Sequence, residues 1–271
     1  MDLRKLRKLH KELFVVKTML ANTNGVDKYS FAPCFVGKDY FKCEKKLMIV
    51  GQNSNGWDRD DGMFNNADQY AEYIIDKYFN PKSKIYDGFQ WIEDAIDRRD
   101  SYFLQDHSGF WKFGRMVFER FSGVPHSTYK PTEVWQHSIV QSDTMKITNH
   151  DRKIGNICDK SDGQFLCERT VQIDLCLQIL LKEIELLKPT HVLFMTNVGD
   201  YFFDALNVMF EPVPDSIGLN TNKIVKSTGM IGDSKCFVTI HPQGLREKGK
   251  QTDLYLDALD SVNKFKGWDL F

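Results

Sequence analysis

Apolar and polar positions follow two rhythms along this chain, and the places where the rhythm changes mark its elements. Leu3, Leu6, Leu9, Leu13, Val16 and Leu20 recur at helical spacing, with Arg4, Lys5, Arg7, Lys8 and Lys11 on the remaining surface, so an amphipathic basic helix is predicted over residues 3–20. A turn-rich piece then leads into Leu47–Val50, an aliphatic run with no polar break, which reads as a buried strand. Helices are predicted over Ala67–Tyr78, Trp91–Arg99 and Phe110–Phe121, the last with its aromatics at helical spacing and read as core. Met145–Thr148 predicts the second strand. Ile173, Leu177, Leu180, Ile184 and Leu187 mark one face of a long helix that Pro189 must end. His191 opens a third strand and Asp200–Val208 a helix. Lys223–Lys226 reads as a short edge strand, Cys236–Ile240 as the last buried strand and Leu254–Phe265 as a closing amphipathic helix.

Strands that alternate with helices predict an α/β fold, and no repeat or linker divides the chain. The reading is one domain over residues 1–271, with an insertion at about 65–109. In an open parallel sheet the carboxyl ends of the strands line one crevice, so strand tips far apart in sequence meet over one ligand. The first tip is the richest. In LMIVGQNSNGW, Leu47–Trp57, a buried strand runs straight into amides, a hydroxyl and exposed backbone N–H groups. Three later tips end in polar residues: MKITN at 145–149, VLFMTN at 192–197 and FVTIHP at 237–242. Taken singly, each also reads as an ordinary strand end, because Asn, Gly and Ser are common turn formers.

Composition narrows the choice. With 42% hydrophobic and 13% aromatic residues in 271, the chain has ample material for a core. Lys plus Arg 36 against Asp plus Glu 37 leaves a net charge of -1, so no global field draws it to nucleic acid and any such binding needs a local patch. Cysteines at 34, 43, 158, 167, 176 and 236 form no CxxC pair and have no histidine at zinc spacing, so no metal site is expected and free intracellular thiols are the simpler reading. No signal-like or membrane-length apolar run is present in the sequence, and a cytoplasmic protein without a membrane partner is expected.

The order and spacing of these tips resemble the uracil-DNA glycosylase superfamily over roughly residues 47–245, leaving out 65–109. Gly51-Gln52-Asn53 resembles the motif after the first strand that positions the hydrolytic water, and Gly62 with Phe64 resembles the glycine and base-stacking phenylalanine downstream. Ile147-Thr148-Asn149 is similar to the strand whose terminal asparagine reads the uracil edge. Phe237–Pro242 with Leu245 is similar to the second active-site motif, with its histidine, proline and later leucine. Of the ligands of the iron-sulfur branch only Cys176 has a counterpart; Lys153 stands in place of another, and no cluster or other cofactor is expected. Ser54-Asn55 and Gln243-Gly244 depart from the pairs usual in the motifs.

The resemblance implies a three-layer α/β/α sandwich around a central, mostly parallel four-stranded sheet, and hydrolysis of the N-glycosidic bond of uracil or a related deaminated base in DNA. It assigns Asn53 and His241 to catalysis: Asn53 orients water, and His241 donates to the departing base anion. Gly51, Gln52, Phe64 and Asn149 would hold the base, with Asn149 offering the donor and acceptor that match uracil. Leu245 would act as an apolar wedge, while Arg246 and Lys248 lie near phosphates of single- or double-stranded DNA. Two other classes stay open: a non-catalytic nucleotide or nucleic-acid binding protein on the same fold, and an interaction protein using residues 65–109 as its contact surface.

Overall fold

The basic helix forms as its pattern dictates. In the computed structural model α1, Arg4–Asn24, buries Leu6, Leu9, Leu13 and Leu20. The structure describes residues 2–24, 29–52, 64–97, 109–123, 135–149, 168–196, 210–218, 221–242 and 249–271. Part of the basic face meets α2, Ala67–Ile74: Arg7 Nε lies 2.8 Å from Glu72, and Lys11 pairs with Asp68. That neutralisation makes the cations a docking surface for a neighbouring helix. Asn66 caps α2 by accepting from the Gln69 N–H at 2.9 Å. Tyr70 of α2 stacks on Phe31, with ring centroids 4.0 Å apart.

The strands are β1 (Tyr29–Phe31), β2 (Phe35–Val36), β3 (Leu47–Gly51), β4 (Ile139–Asp143), β5 (Ile147–Asn149), β6 (His191–Met195), β7 (Phe210–Pro212), β8 (Val225–Ile231) and β9 (Ser234–Thr239). Seven of them form a mixed sheet in the order β2-β4-β3-β6-β9-β8-β7. Within it β4, β3, β6 and β9 run parallel, and β2, β8 and β7 add antiparallel margins. Three of the expected strands, β3, β6 and β9, therefore lie at the centre of a wider, mixed sheet.

One strand differs from expectation. Residues 145–148 do not supply the second strand of this sheet; β4 does, while β5 pairs antiparallel with β1 in a separate two-stranded sheet. The physical reason lies in β4 itself, whose Gln141, Ser142 and Asp143 are polar yet buried. Lys146 makes this possible. Its ammonium, with no exposed side-chain surface, donates to Ser142 Oγ at 2.5 Å and to both Glu183 oxygens at 2.9 and 3.0 Å. Ser142 Oγ donates in turn to Glu183 Oε2 at 2.7 Å. Buried charges persist only when paired and hydrogen-bonded, and here each charge has its partner.

The remaining helices are α3 (Gln90–Asp97), α4 (Gly109–Ser122), α5 (Glu168–Leu187), α6 (Thr221–Ile224) and α7 (Gly249–Lys266). Lys188, at φ 49°, and Pro189 end α5, as the sequence predicts for this proline. Neighbouring side chains on a strand point to opposite faces. Ser142 reaches Glu183 on α5, whereas Ile49 lies beneath Gly114 of α4, where an added Cβ would meet Ile49 Cδ1 at 3.0 Å. Since Ser142 pairs with Val50 and not with Ile49, α4 and α5 cover opposite faces of the sheet. One cluster of buried side chains runs from Leu6 to Leu270.

Removing one member of the buried pair leaves an uncompensated charge, so Glu183→Ala is expected to cost about 3–5 kcal/mol in urea denaturation. A loss below about 1 kcal/mol would show that the pair does not hold β4 against α5.

Candidate functional site

Three of the parallel strands bring chemistry to their carboxyl ends. β3 ends at Gly51, β4 at Asp143, and two residues past β9 stands His241. Gly51 and Asp143 are direct partners in the parallel register and so face the same side of the sheet, the side covered by α4. Gly51 has no room for a side chain: a Cβ there would collide with Asp143 Oδ1 and lie 3.2 Å from Phe110 Cε2. The glycine therefore lets a carboxylate and an aromatic ring approach the same point on the backbone. Phe110, at the start of α4, also stacks with the His241 ring, at 6.3 Å between centroids and 25° between planes. Gly51, Asp143, Phe110 and His241 thus gather on one face at one edge, from four elements far apart in sequence.

The end of β3 is bonded to the residues that follow β4. Thr144 N–H donates to the Gly51 carbonyl at 2.9 Å, Met145 N–H to the Gln52 carbonyl at 3.0 Å, and Thr144 Oγ1 to the same Gln52 carbonyl at 2.9 Å. These bonds lock the tips of β3 and β4 together.

The electrostatics of this edge are set by burial. Asp143 is 4% exposed, and loss of hydration pushes its carboxyl up to about 7, against the pull of Lys146 and a hydrogen bond from Gln141 Nε2 to Oδ2 at 3.1 Å. Burial is the largest single influence on Lys146 and lowers it, but Glu183, Cys34 and Asp143 together outweigh this and leave its ammonium above the ordinary value. With Lys146 engaged by Glu183, too little positive charge remains to hold Asp143 ionised at low pH. Burial also lowers the His241 imidazole, which favours its neutral form. A buried carboxyl that titrates near neutrality can exchange protons and hydrogen bonds with a ligand at physiological pH.

Of the residues singled out in the sequence, Gly51 and His241 belong to this cluster, and Gln52 joins it through its carbonyl. Phe64 packs on Tyr73 and Tyr70, with centroids at 4.9 and 5.6 Å. Asn149 ends β5 opposite Tyr29, so its backbone does not stand at a tip of the seven-stranded sheet. Asn53, Leu245, Arg246 and Lys248 lie outside the described residues, as does the helix expected at Asp200–Val208. Sequence reasoning missed Asp143 and assigned Phe110 wholly to the core.

A cleft of about 660 Å³ lies at the amino edge of the parallel strands and includes Lys45, Ile184, His191, Lys235 and Asp269 in its wall. Several of its charges are committed internally: Lys235 pairs with Asp269, Lys45 Nζ donates to the Asp269 carbonyl at 2.7 Å, and His191 Nε2 lies 3.4 Å from Asp269. Cys34, Cys43, Cys176 and Cys236 are free thiols, and among the described residues no group of three or more potential ligands could hold a metal ion. Nor is any helix among the described residues long and apolar enough to cross a membrane. Comparison with known protein families and with characterised proteins found no match for this chain.

Asp143 generates a pH prediction with a definite sign. The folded state holds this proton more tightly than the unfolded chain, so the stability it contributes is complete below the ordinary value of 3.8 and is lost as pH rises through about 7. In urea denaturation, Asp143→Asn is therefore expected to gain on the natural protein as pH rises across that window and to gain nothing further above it. A difference that stays constant across the window would contradict the assignment.

Proposed function

We propose that this chain is an N-glycosidic-bond hydrolase of the uracil-DNA glycosylase type, removing uracil or a related deaminated base from DNA. The observation that carries this reading is the meeting of Gly51, Asp143, Phe110 and His241 at the carboxyl edge of the parallel strands. Helices on both faces of a sheet with a four-stranded parallel centre agree with the finer proposal, a three-layer α/β/α sandwich of that superfamily's kind.

Each part of the reaction has a residue to perform it. As the base leaves, negative charge grows on its oxygen and positive charge on the sugar. His241, held neutral by burial, donates an N–H to the base oxygen and stabilises that charge in a site with little water. Asn53, two residues past the end of β3, orients the attacking water through its amide oxygen. Phe110 offers an apolar ring beside Gly51 at this edge, a surface on which a base would stack. DNA is the partner in this reading, with Leu245 replacing the extruded base in the stack and Arg246 and Lys248 meeting phosphates.

The test is incubation with single- and double-stranded oligonucleotides carrying uracil, hypoxanthine or xanthine, scored for abasic sites. Product is expected from the natural protein, with a loss of about 100-fold or more in His241→Ala and also a loss in Asn53→Ala. No product at stoichiometric protein rejects the enzyme. Salt-dependent binding without product would assign the edge to nucleic-acid binding alone.

A further inference from the structure

At the amino edge of the parallel strands, polar side chains from three adjacent strands converge on one residue beside an open cleft. His191 and Lys235 are direct partners where β6 and β9 pair, so their side chains face the same side of the sheet. Lys45 stands two residues before β3, the strand on the other side of β6. All three reach Asp269, in the segment after α7. Lys235 pairs with its carboxylate, His191 Nε2 lies 3.4 Å from Oδ1, and Lys45 Nζ donates to its backbone carbonyl at 2.7 Å. The rest of the wall carries apolar surface from Leu181 and Ile184, near the end of α5, with Pro189 and Ile231.

The Asp269 carboxylate is not needed to fasten the segment that carries it. Leu270 is wholly buried and its N–H donates to Asn263 Oδ1 at 3.0 Å, Trp268 N–H donates to the Asn263 carbonyl at 3.0 Å, and the Trp268 ring meets Phe237 edge to face at 5.1 Å. The Asp269 side chain, by contrast, is 62% exposed and can turn to solvent with its backbone in place. His191 Nε2 is buried, and its contact with Asp269 lacks the alignment of a hydrogen bond. The remaining charges favour an anion. Glu185 is matched by Lys182 and Asp269 by Lys235, which leaves Lys45 and Lys188 against Asp233 in the wall.

We propose that this cleft binds a small monocarboxylate with an apolar body, whose carboxylate takes the place of the Asp269 side chain beside Lys235 and His191. Its chain lies along Leu181, Ile184, Pro189 and Ile231, and Asp269 is the protein's own stand-in for the ligand. A cleft of about 660 Å³ has room for such a molecule. A carboxylate set deeper than that of Asp269 completes His191 Nε2, which carries its proton when the Thr190 hydroxyl donates to Nδ1, 3.0 Å away. Displacement exchanges one exposed ion pair for another, so the charges select the class of ligand and apolar burial supplies the affinity. A phosphate monoester fits less well, because its second negative charge meets Asp233 and the displaced Asp269. This site is independent of what the carboxyl edge binds.

Amide resonances of the full chain, followed during titration with octanoate, 1-octanol and octyl phosphate, test the proposal. Octanoate is expected to move Lys188, Thr190, His191 and Lys235 along one saturable curve, with octanol and octyl phosphate each bound at least about fivefold more weakly. Asp269→Ala, which removes the competing carboxylate, should tighten octanoate by about three- to fivefold, and Lys235→Met should weaken it by about the same factor. Octanoate that gives no saturable shift at these amides below about 10 mM overturns the proposal. So does octanol or octyl phosphate bound as tightly as octanoate, or an Asp269→Ala variant that binds octanoate no better than the natural protein.

Discussion

The ion pair between Lys146 and Glu183 is the interaction on which the rest of this structure depends. It joins the strand that ends at Asp143 to α5 on the opposite face from the site, with Ser142 as the third member of the network. Both side chains are without exposed surface, so neither charge has water to fall back on, and each is tolerable only while the other is present. The network therefore specifies β4 more than it stabilises it. A strand carrying Gln141, Ser142 and Asp143 could not otherwise lie next to β3 inside the sheet, and without β4 in that place Asp143 would not stand beside Gly51.

From that constraint the site follows by strand geometry. Side chains alternate across a strand, so Ser142 turns to α5 and Asp143 turns to α4, where Gly51 and Phe110 are. One residue joins the buried ion-pair network on one face and the next faces the candidate site on the other. The same Lys146 ammonium is near enough to pull on the Asp143 carboxyl yet committed enough to Glu183 to leave burial as the larger influence. Folding and the protonation of the site are in this sense one electrostatic problem.

Much of the fold was legible because most elements bury plain apolar surface. Leu47–Gly51, His191–Met195 and the helices headed by Arg4 and Gly109 announce themselves through uninterrupted or helically spaced hydrophobic residues. β4 did not, because three of its five residues are polar and their burial is made possible by Lys146 and Glu183, which periodicity cannot see. Ile147 and Thr148 imitate a strand of the main sheet and form one elsewhere, with Tyr29–Phe31. β8 is longer than the four residues expected and is no edge: it lies between β9 and β7, joined to β9 by the short turn at Gly232-Asp233, a glycine-containing signal present in the sequence. In the site, Gly51 and His241 were visible as strand-end residues. Asp143 was hidden by the misplaced strand, and Phe110 by its membership of an aromatic helix face.

The central claim, that the carboxyl edge around Gly51 and Asp143 is where a nucleobase binds, is tested most directly by following backbone amide resonances of the full chain during titration with 2′-deoxyuridine. The account predicts that the amides of Gly51, Gln52, Thr144 and His241 shift together along one saturable curve. Shifts confined to Lys188–His191 and Lys235, at the amino-edge cleft, with the carboxyl edge unmoved, would contradict it.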